Sequence, residues 1–198
     1  MNEPPPLQRI LALTGPALLL PWSRGSKGER RRWKHLQLEL MGDHIHLHRL
    51  SKAGNIGVAL GKVSGGLVSI DIDYDDCAQE FLGLNPVLCD TLRTKGARGC
   101  NVWVRMKGDY PPSHKLKDKE GQEIGEFRSD GAQTIIFGTH PSGATYSFEV
   151  EKPALQIAFS DIVFFVRTGD FTQKGSNNFT ETGFTETKRL RDLEDIET

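Results

Sequence analysis

The sequence predicts an α+β domain built on a largely antiparallel sheet. Two observations carry this expectation. Many short stretches with strand patterning are separated by turns rich in Gly and Pro, and the few helical patterns do not alternate with strands as a doubly wound fold requires. A length of 198 residues, 37% hydrophobic and 26% charged, suits one globular domain of about 1–168 with a polar tail over about 169–198.

The elements follow in order. Leu7, Ile10, Leu11 and Leu13 repeat at helical spacing until Gly15 and Pro16 stop them, which predicts a short entry helix. Ala17 to Trp22 reads as a buried strand, and Gly25 to Gly28 as a loop whose basic side chains can reach an anion. Glu29 to Met41 reads as a helix with Trp33, Leu36 and Leu40 near one face. His44, His46 and His48 would share a face at strand spacing, yet no Cys or carboxylate completes a zinc site, so a structural role is expected. Strands are expected at 56–60 and 67–73, followed by a short helix over 75–82 capped by Asp75 or Asp76. Further strands are expected at 101–106, 123–128, 133–137 and 145–150, then a final apolar segment over 161–167. Beyond Thr168 the repeated Thr-Glu-Thr and the polar composition read as a disordered linker or charged tail.

The apolar runs fall far short of the ~20 residues that span a bilayer, and Leu11 to Leu20 lacks the features of a secretory signal. Cys77, Cys89 and Cys100 form neither an even set nor a CxxC pair. Reduced thiols and a cytoplasmic location are therefore expected.

The net charge of -1 conceals segregation. Arg24 to Lys34 carries six basic residues against Glu29, and Arg93 to Lys119 carries eight against Asp109 and Asp118. Between them, Asp71 to Glu80 carries five acids and no base. Basic stretches are often only a solvated face, but their nearness in sequence to clustered carboxylates points to a polyanion or nucleotide handled with a metal ion.

In Ser69-Ile70-Asp71-Ile72-Asp73 the two carboxylates lie two apart on an apolar strand, so they share a face while Ile70 and Ile72 take the other. Two bare carboxylates ~4 Å apart repel by ~4 kcal/mol at an effective dielectric of ~20, and a shared divalent ion turns that repulsion into attraction. Oxygen-only ligation favours Mg2+ or Mn2+. Glu126 supplies a third acid on a strand where Arg128 shares its face, so it reads either as a ligand that lets the set hold two metals or as half of a structural ion pair.

The stretch Thr94-Lys95-Gly96-Ala97-Arg98-Gly99-Cys100-Asn101 fits neither a P-loop nor a dinucleotide fingerprint. It reads as a glycine-bearing hairpin that can also bring backbone amides with Lys95 or Arg98 to a triphosphate. After the strand at 133–137, the turn Phe137 to Gly143 presents His140 and two hydroxyls to phosphate or base. Trp103, in an alternating strand, is expected in the core.

Taken in order, several segments resemble the bifunctional primase/polymerase (prim-pol) domain of the archaeo-eukaryotic primase superfamily, across about 20–148. They are Asn55 to Val58 with Gly61, Ser64 to Asp73, Arg98 to Trp103, Gly125 to Gly131, Gln133-Thr134, and His140 to Gly143 before Tyr146. The resemblance implies a modified RNA-recognition-like catalytic sheet joined to a small N-terminal α/β unit. It puts the first-motif acids on Asp71 and Asp73 and the third-motif acid on Glu126. Where the second motif commonly ends in a histidine thought to touch the nucleotide phosphates, this chain has Asn101, which donates a hydrogen bond but carries no charge.

The function implied is nucleotidyl transfer from dNTPs or NTPs to a 3′ hydroxyl on single-stranded DNA, in a phage, plasmid or other mobile replicon. Asp71, Asp73 and Glu126 would be catalytic and would hold Mg2+ or Mn2+. Lys95, Arg98, Asn101, Arg128 and His140 would bind the nucleotide, and Arg30, Arg31, Arg32, Lys115, Lys117 and Lys119 the DNA. Family members often carry a helicase, to which the tail would lead. The competing expectations are a non-catalytic single-stranded DNA-binding module and a metal-dependent nuclease.

Overall fold

Gly15, at φ 69°, and Pro16 stop helix α1 (Leu7–Thr14) after two turns, and Ile10 and Leu13 on its inner side are buried. The chain then enters strand β1 (Leu19–Trp22), which pairs antiparallel with β2 (Asn55–Ala59). These details come from a computed structural model, which describes residues 5–28 and 33–165. The expected tail, 169–198, lies outside the described residues, as do Arg30, Arg31 and Arg32.

Two sheets make up the architecture, in keeping with the expected α+β class. The smaller has the order β1-β2-β8, with β8 at Gln133–Phe137. The larger has seven strands. These are β3 (Leu67–Ile72), β4 (Arg93–Lys95), β5 (Cys100–Lys107), β6 (His114–Lys117), β7 (Glu123–Arg128), β9 (Ser147–Val150) and β10 (Leu155–Ala158). Its order is β6-β7-β3-β5-β4-β9, with β10 beside β5. Every pairing is antiparallel except that of β10 with β5.

Alternation along β3 sets which face does what. Val68, Ile70 and Ile72 join Phe81 of helix α3 (Asp75–Leu84), Phe127 and Ile157 in a core behind the large sheet. Leu67, on the other face, packs with Leu19, Ile56, Val58, Trp103 and Ile136 in a core shared by both sheets. Trp103 is fully buried, as expected, and its indole donates to Thr94 Oγ1 at 2.9 Å. Ser69 and Asp71 continue the Leu67 face, so the carboxylate stands where that shared core gives way to polar groups.

Several local expectations change in the fold. No α-helix runs from Trp33 to Met41, where the chain makes only a 3-10 turn at Leu38–Gly42. Leu36, Leu38 and Leu40 all pack with Trp33 on the core of Leu18, Leu20 and Ala59, and an α-helix would scatter such an i, i+2, i+4 set around its axis. The histidines lie instead on helix α2 (His44–Ser51), whose N-cap Asp43 accepts from the His46 amide at 2.8 Å. At helical spacing only His44 and His48 share a face, and buried His46, turned away from them, bonds the Leu19 carbonyl through Nε2 at 3.0 Å. Strand β3 stops at Ile72, and the following Asp73 amide donates to the Ile124 carbonyl at 2.8 Å. Tyr74, not an aspartate, is at the N-cap of α3; Asp75 and Asp76 fall in its first turn, and the Asp75 carboxylate is held by Lys95.

Arg105 ties the N-terminal segment to the large sheet. Its Nη1 donates to the Ser64 and Gly65 carbonyls at 2.6 Å each, and its Nη2 to those of Thr14 at 2.6 Å and Pro16 at 3.2 Å. Replacing it with methionine keeps the stem and leaves these carbonyls without their charged donor. Arg105→Met is expected to cost on the order of 2–3 kcal/mol, read as a lower urea midpoint with an unchanged slope.

Candidate active site

The registers of the large sheet line up one transverse row. Lys115 on β6 lies opposite Glu126 on β7, Glu126 opposite Asp71 on β3, and Asp71 opposite Asn101 on β5. The row continues through Thr94 on β4 to Phe148 on β9. Residues far apart in sequence thus become neighbours because directly opposed side chains on one face stand only ~5 Å apart.

Over this row lies a cavity of about 420 Å³ between the two sheets. The large sheet lines it with Asp71, Asn101 and Arg128, and the first residue beyond β3 adds Asp73. The glycine-rich turn contributes Gly96, Ala97 and Arg98; it is the hairpin of β4 and β5, as the sequence suggested. Strand β8 supplies Gln133, Thr134 and Ile135, and the segment beyond it supplies His140, Ser142 and Tyr146. Lys27 reaches in from the loop after β1.

Burial raises the Asp71 carboxyl above its ordinary range; Arg128 opposes this, while the charges of Asp73 and Glu126 add to it. The Arg128 guanidinium bridges two of the acids, with Nη2 2.6 Å from Asp71 Oδ2 and Nε 3.1 Å from Glu126 Oε2. The ion-pair reading of Glu126 and Arg128 therefore describes this structure. The expected three-carboxylate metal set does not: among the described residues no three His, Cys, Asp or Glu side chains are arranged to hold a metal ion. Glu126 faces Arg128, with Lys115 Nζ 4.0 Å away, and is not among the residues lining the cavity. Asp71 and Asp73 do line it and offer only oxygen, which suits a hard divalent ion completed by water and phosphate oxygens.

The other expected site residues divide. Arg98, Asn101, Arg128 and His140 line the cavity. Lys95 does not, because its Nζ is 2.6 Å from Asp75 Oδ1, a pair that lowers the Asp75 pKa and raises that of the lysine. Lys115 and Lys117 stand on strand β6 at the edge of the sheet and Lys119 in the turn beyond; all three are exposed, and Lys115 Nζ is also 2.6 Å from Glu123 Oε1.

Asn55 carries a role that its place at the start of a strand did not reveal. Fully buried, its Nδ2 donates to the Ser26 carbonyl at 3.0 Å and the Thr139 carbonyl at 2.8 Å, while its Oδ1 accepts from the Thr139 amide at 2.8 Å. It thereby pins the loop bearing Lys27 to the turn bearing His140. A Cβ at Gly138, φ 116°, would overlap Asn55 Oδ1, which is why glycine stands there. Gln133 holds the same loop by donating its amide to the Lys27 carbonyl. A polar residue opening an otherwise apolar strand was the available signal for both.

Residues 11–158 match the family described as bifunctional DNA primase/polymerase, N-terminal. The chain belongs to that family. The match takes in β1 through β10 and every cavity residue. DNA primase and polymerase activity, a nucleotidyl transfer, is what membership in the prim-pol family implies, with DNA and nucleotides as substrates. No curated protein matches the chain. Among the described residues of the prim-pol domain, no helix is long and apolar enough to cross a membrane.

Proposed function

We propose that this prim-pol domain adds nucleotides from dNTPs or NTPs to a 3′ hydroxyl on a single-stranded DNA template, in the replication of a phage, plasmid or other mobile element. One observation carries the reading: a single cavity at the junction of two sheets presents the carboxylates of Asp71 and Asp73 beside the cations Lys27, Arg98 and Arg128. A nucleoside triphosphate with a divalent ion has the complementary charges.

Asp71 and Asp73 would hold Mg2+ or Mn2+, which when bound lowers the pKa of the attacking hydroxyl and offsets charge on the α-phosphate and the departing pyrophosphate. Lys27 and Arg98 hold the phosphates, and the Asn55 pin keeps Lys27 facing His140. Asn101 accepts from Ser69 Oγ through Oδ1 at 2.8 Å, which leaves its amide hydrogens for an oxygen in the cavity. Asp71 on the central antiparallel strand β3, with Asp73 just beyond it and α3 behind the sheet, supports the RNA-recognition-like reading of the large sheet. Lys115, Lys117 and Lys119 would follow template phosphates along the sheet edge with little sequence preference, and a helicase would act beside the domain.

Primer extension on a primed template with Mg2+ or Mn2+ tests the reading. Strand growth supports it, and shortening of the primer would make the protein a nuclease. Binding without either would make it a non-catalytic module, the reading that Asn101 in place of the family histidine favours. In the same assay Asn101→His is expected to keep or lower the apparent KM for dNTP. A large loss of activity would show that the asparagine has a task of its own.

A further inference from the structure

We propose that Arg128 is a latch that holds the acids of the metal-free site and must release Asp71 before that carboxylate can serve a divalent ion. The inference rests on the reading of Asp71 and Asp73 as the metal-holding pair and adds a control on that site.

The latch is built by the sheet register. Arg128 lies opposite Ser69, two residues along the strands from the opposed pair Asp71 and Glu126 and therefore on the same face. Ser69 is small and its hydroxyl is turned to Asn101, so the guanidinium can lean across β3. It reaches Asp71 with Nη2 and Glu126 with Nε, and Nη1 lies 3.4 Å from Thr134 Oγ1 on β8 of the other sheet. A planar fork suits this double engagement, which a lysine ammonium cannot reproduce with the same geometry.

The charges make the arrangement reversible. One positive group is shared between two carboxylates while Asp73, which makes no ion pair among the described residues, stands nearby. Lys115 stands 4.0 Å from Glu126 and Lys27 also lines the cavity, but among the described residues the Arg128 guanidinium is the cation in contact with Asp71 and so the one that a dication there displaces. Arg128 is only partly buried, at 29% exposure, and already lines the cavity, so on losing Asp71 it has room to turn toward a phosphate without unfolding its strand. Arg128 thus couples the two ligands: whatever draws Asp71 off the guanidinium also frees a phosphate-binding fork, and by reciprocity a phosphate held by Arg128 eases ion entry.

The test is Mn2+ affinity measured by the electron paramagnetic resonance signal of free manganese, without nucleotide or DNA, on the full chain. Arg128→Gln is expected to bind Mn2+ at least ~10-fold tighter than wild type, because it removes the competing cation. Arg128→Lys is expected to fall between the two, and it serves as the second variant if thermal melting shows that Arg128→Gln does not fold. A merely structural arginine gives the opposite sign, since its loss loosens the acids and weakens binding. Wild type and Arg128→Gln binding equally, or the variant binding more weakly, overturns the latch and leaves the nucleotidyl-transfer reading standing. No Mn2+ binding by either protein overturns both.

Discussion

Asp71→Asn combined with Asp73→Asn is expected to lower primer extension by roughly a thousandfold or more while single-stranded DNA binding changes less than about twofold. The substitutions keep shape and remove both negative charges that face the cavity. Among the described residues nothing else lining it is acidic, so no other described lining residue can take over the task. The loss is not expected to come from unfolding. Asp71 has a raised pKa in the fold, so its ionised form opposes folding at neutral pH, and stability from this group is gained as pH falls through the folded pKa toward the ordinary carboxylate value. Neutralising it therefore removes a burdened charge, although Arg128 loses an ionic partner. A melting temperature within a few degrees of wild type, together with lost extension, is the expected pair of results. A double variant as active as wild type would remove Asp71 and Asp73 from the chemistry.

Gly99→Ala is expected to be the most damaging single substitution near the site. Gly99 sits at φ 58° in the turn from β4 to β5, a conformation that costs a residue with a side chain about 1 kcal/mol. A Cβ there would also overlap the Ile72 carbonyl oxygen and crowd the Asp73 carbonyl carbon. These are backbone atoms of the segment that presents both carboxylates, so they cannot swing aside as a flexible side chain would. The hairpin and the end of β3 must separate, and the Gly99 amide loses its 3.1 Å bond to Asp75 Oδ1. The expected cost is about 3 kcal/mol or more, a fall of roughly 10 °C in melting temperature, with extension reduced in the protein that remains folded. Gly83→Ala in α3 is the control, since a Cβ there meets nothing within 4 Å, and its melting temperature is expected to stay level or rise slightly. Equal melting temperatures for Gly99→Ala and wild type would show that the hairpin does not rest on β3 as described.

The local pattern along the chain was enough to place β7 and β8 to the residue and β5 to within one at each end, because alternation and turn residues are short-range properties. It was also enough to set Asp71 on one face of an apolar strand. Three strands escaped notice for physical reasons. β4 has only three residues, and β6 alternates lysines about the single buried Leu116. β10 is stabilised by pairing with β5 rather than by a pattern of its own. The two-residue spacing of the histidines imitates a strand, whereas Asp43 just before them caps a helix.

The kinds of group available, two acids two apart, a third on a distant strand and cations on either side, were already decided by the order of amino acids. Which of them meet was decided only in three dimensions. The chain leaves the large sheet after β7 so that β8 pairs with β2 and closes a cavity, Lys95 turns to Asp75, and Arg128 reaches across β3 to Asp71. Periodicity fixes the face a side chain takes, but an ion pair depends on separations of an ångström or so between strands, and those are set by register and packing over the whole domain.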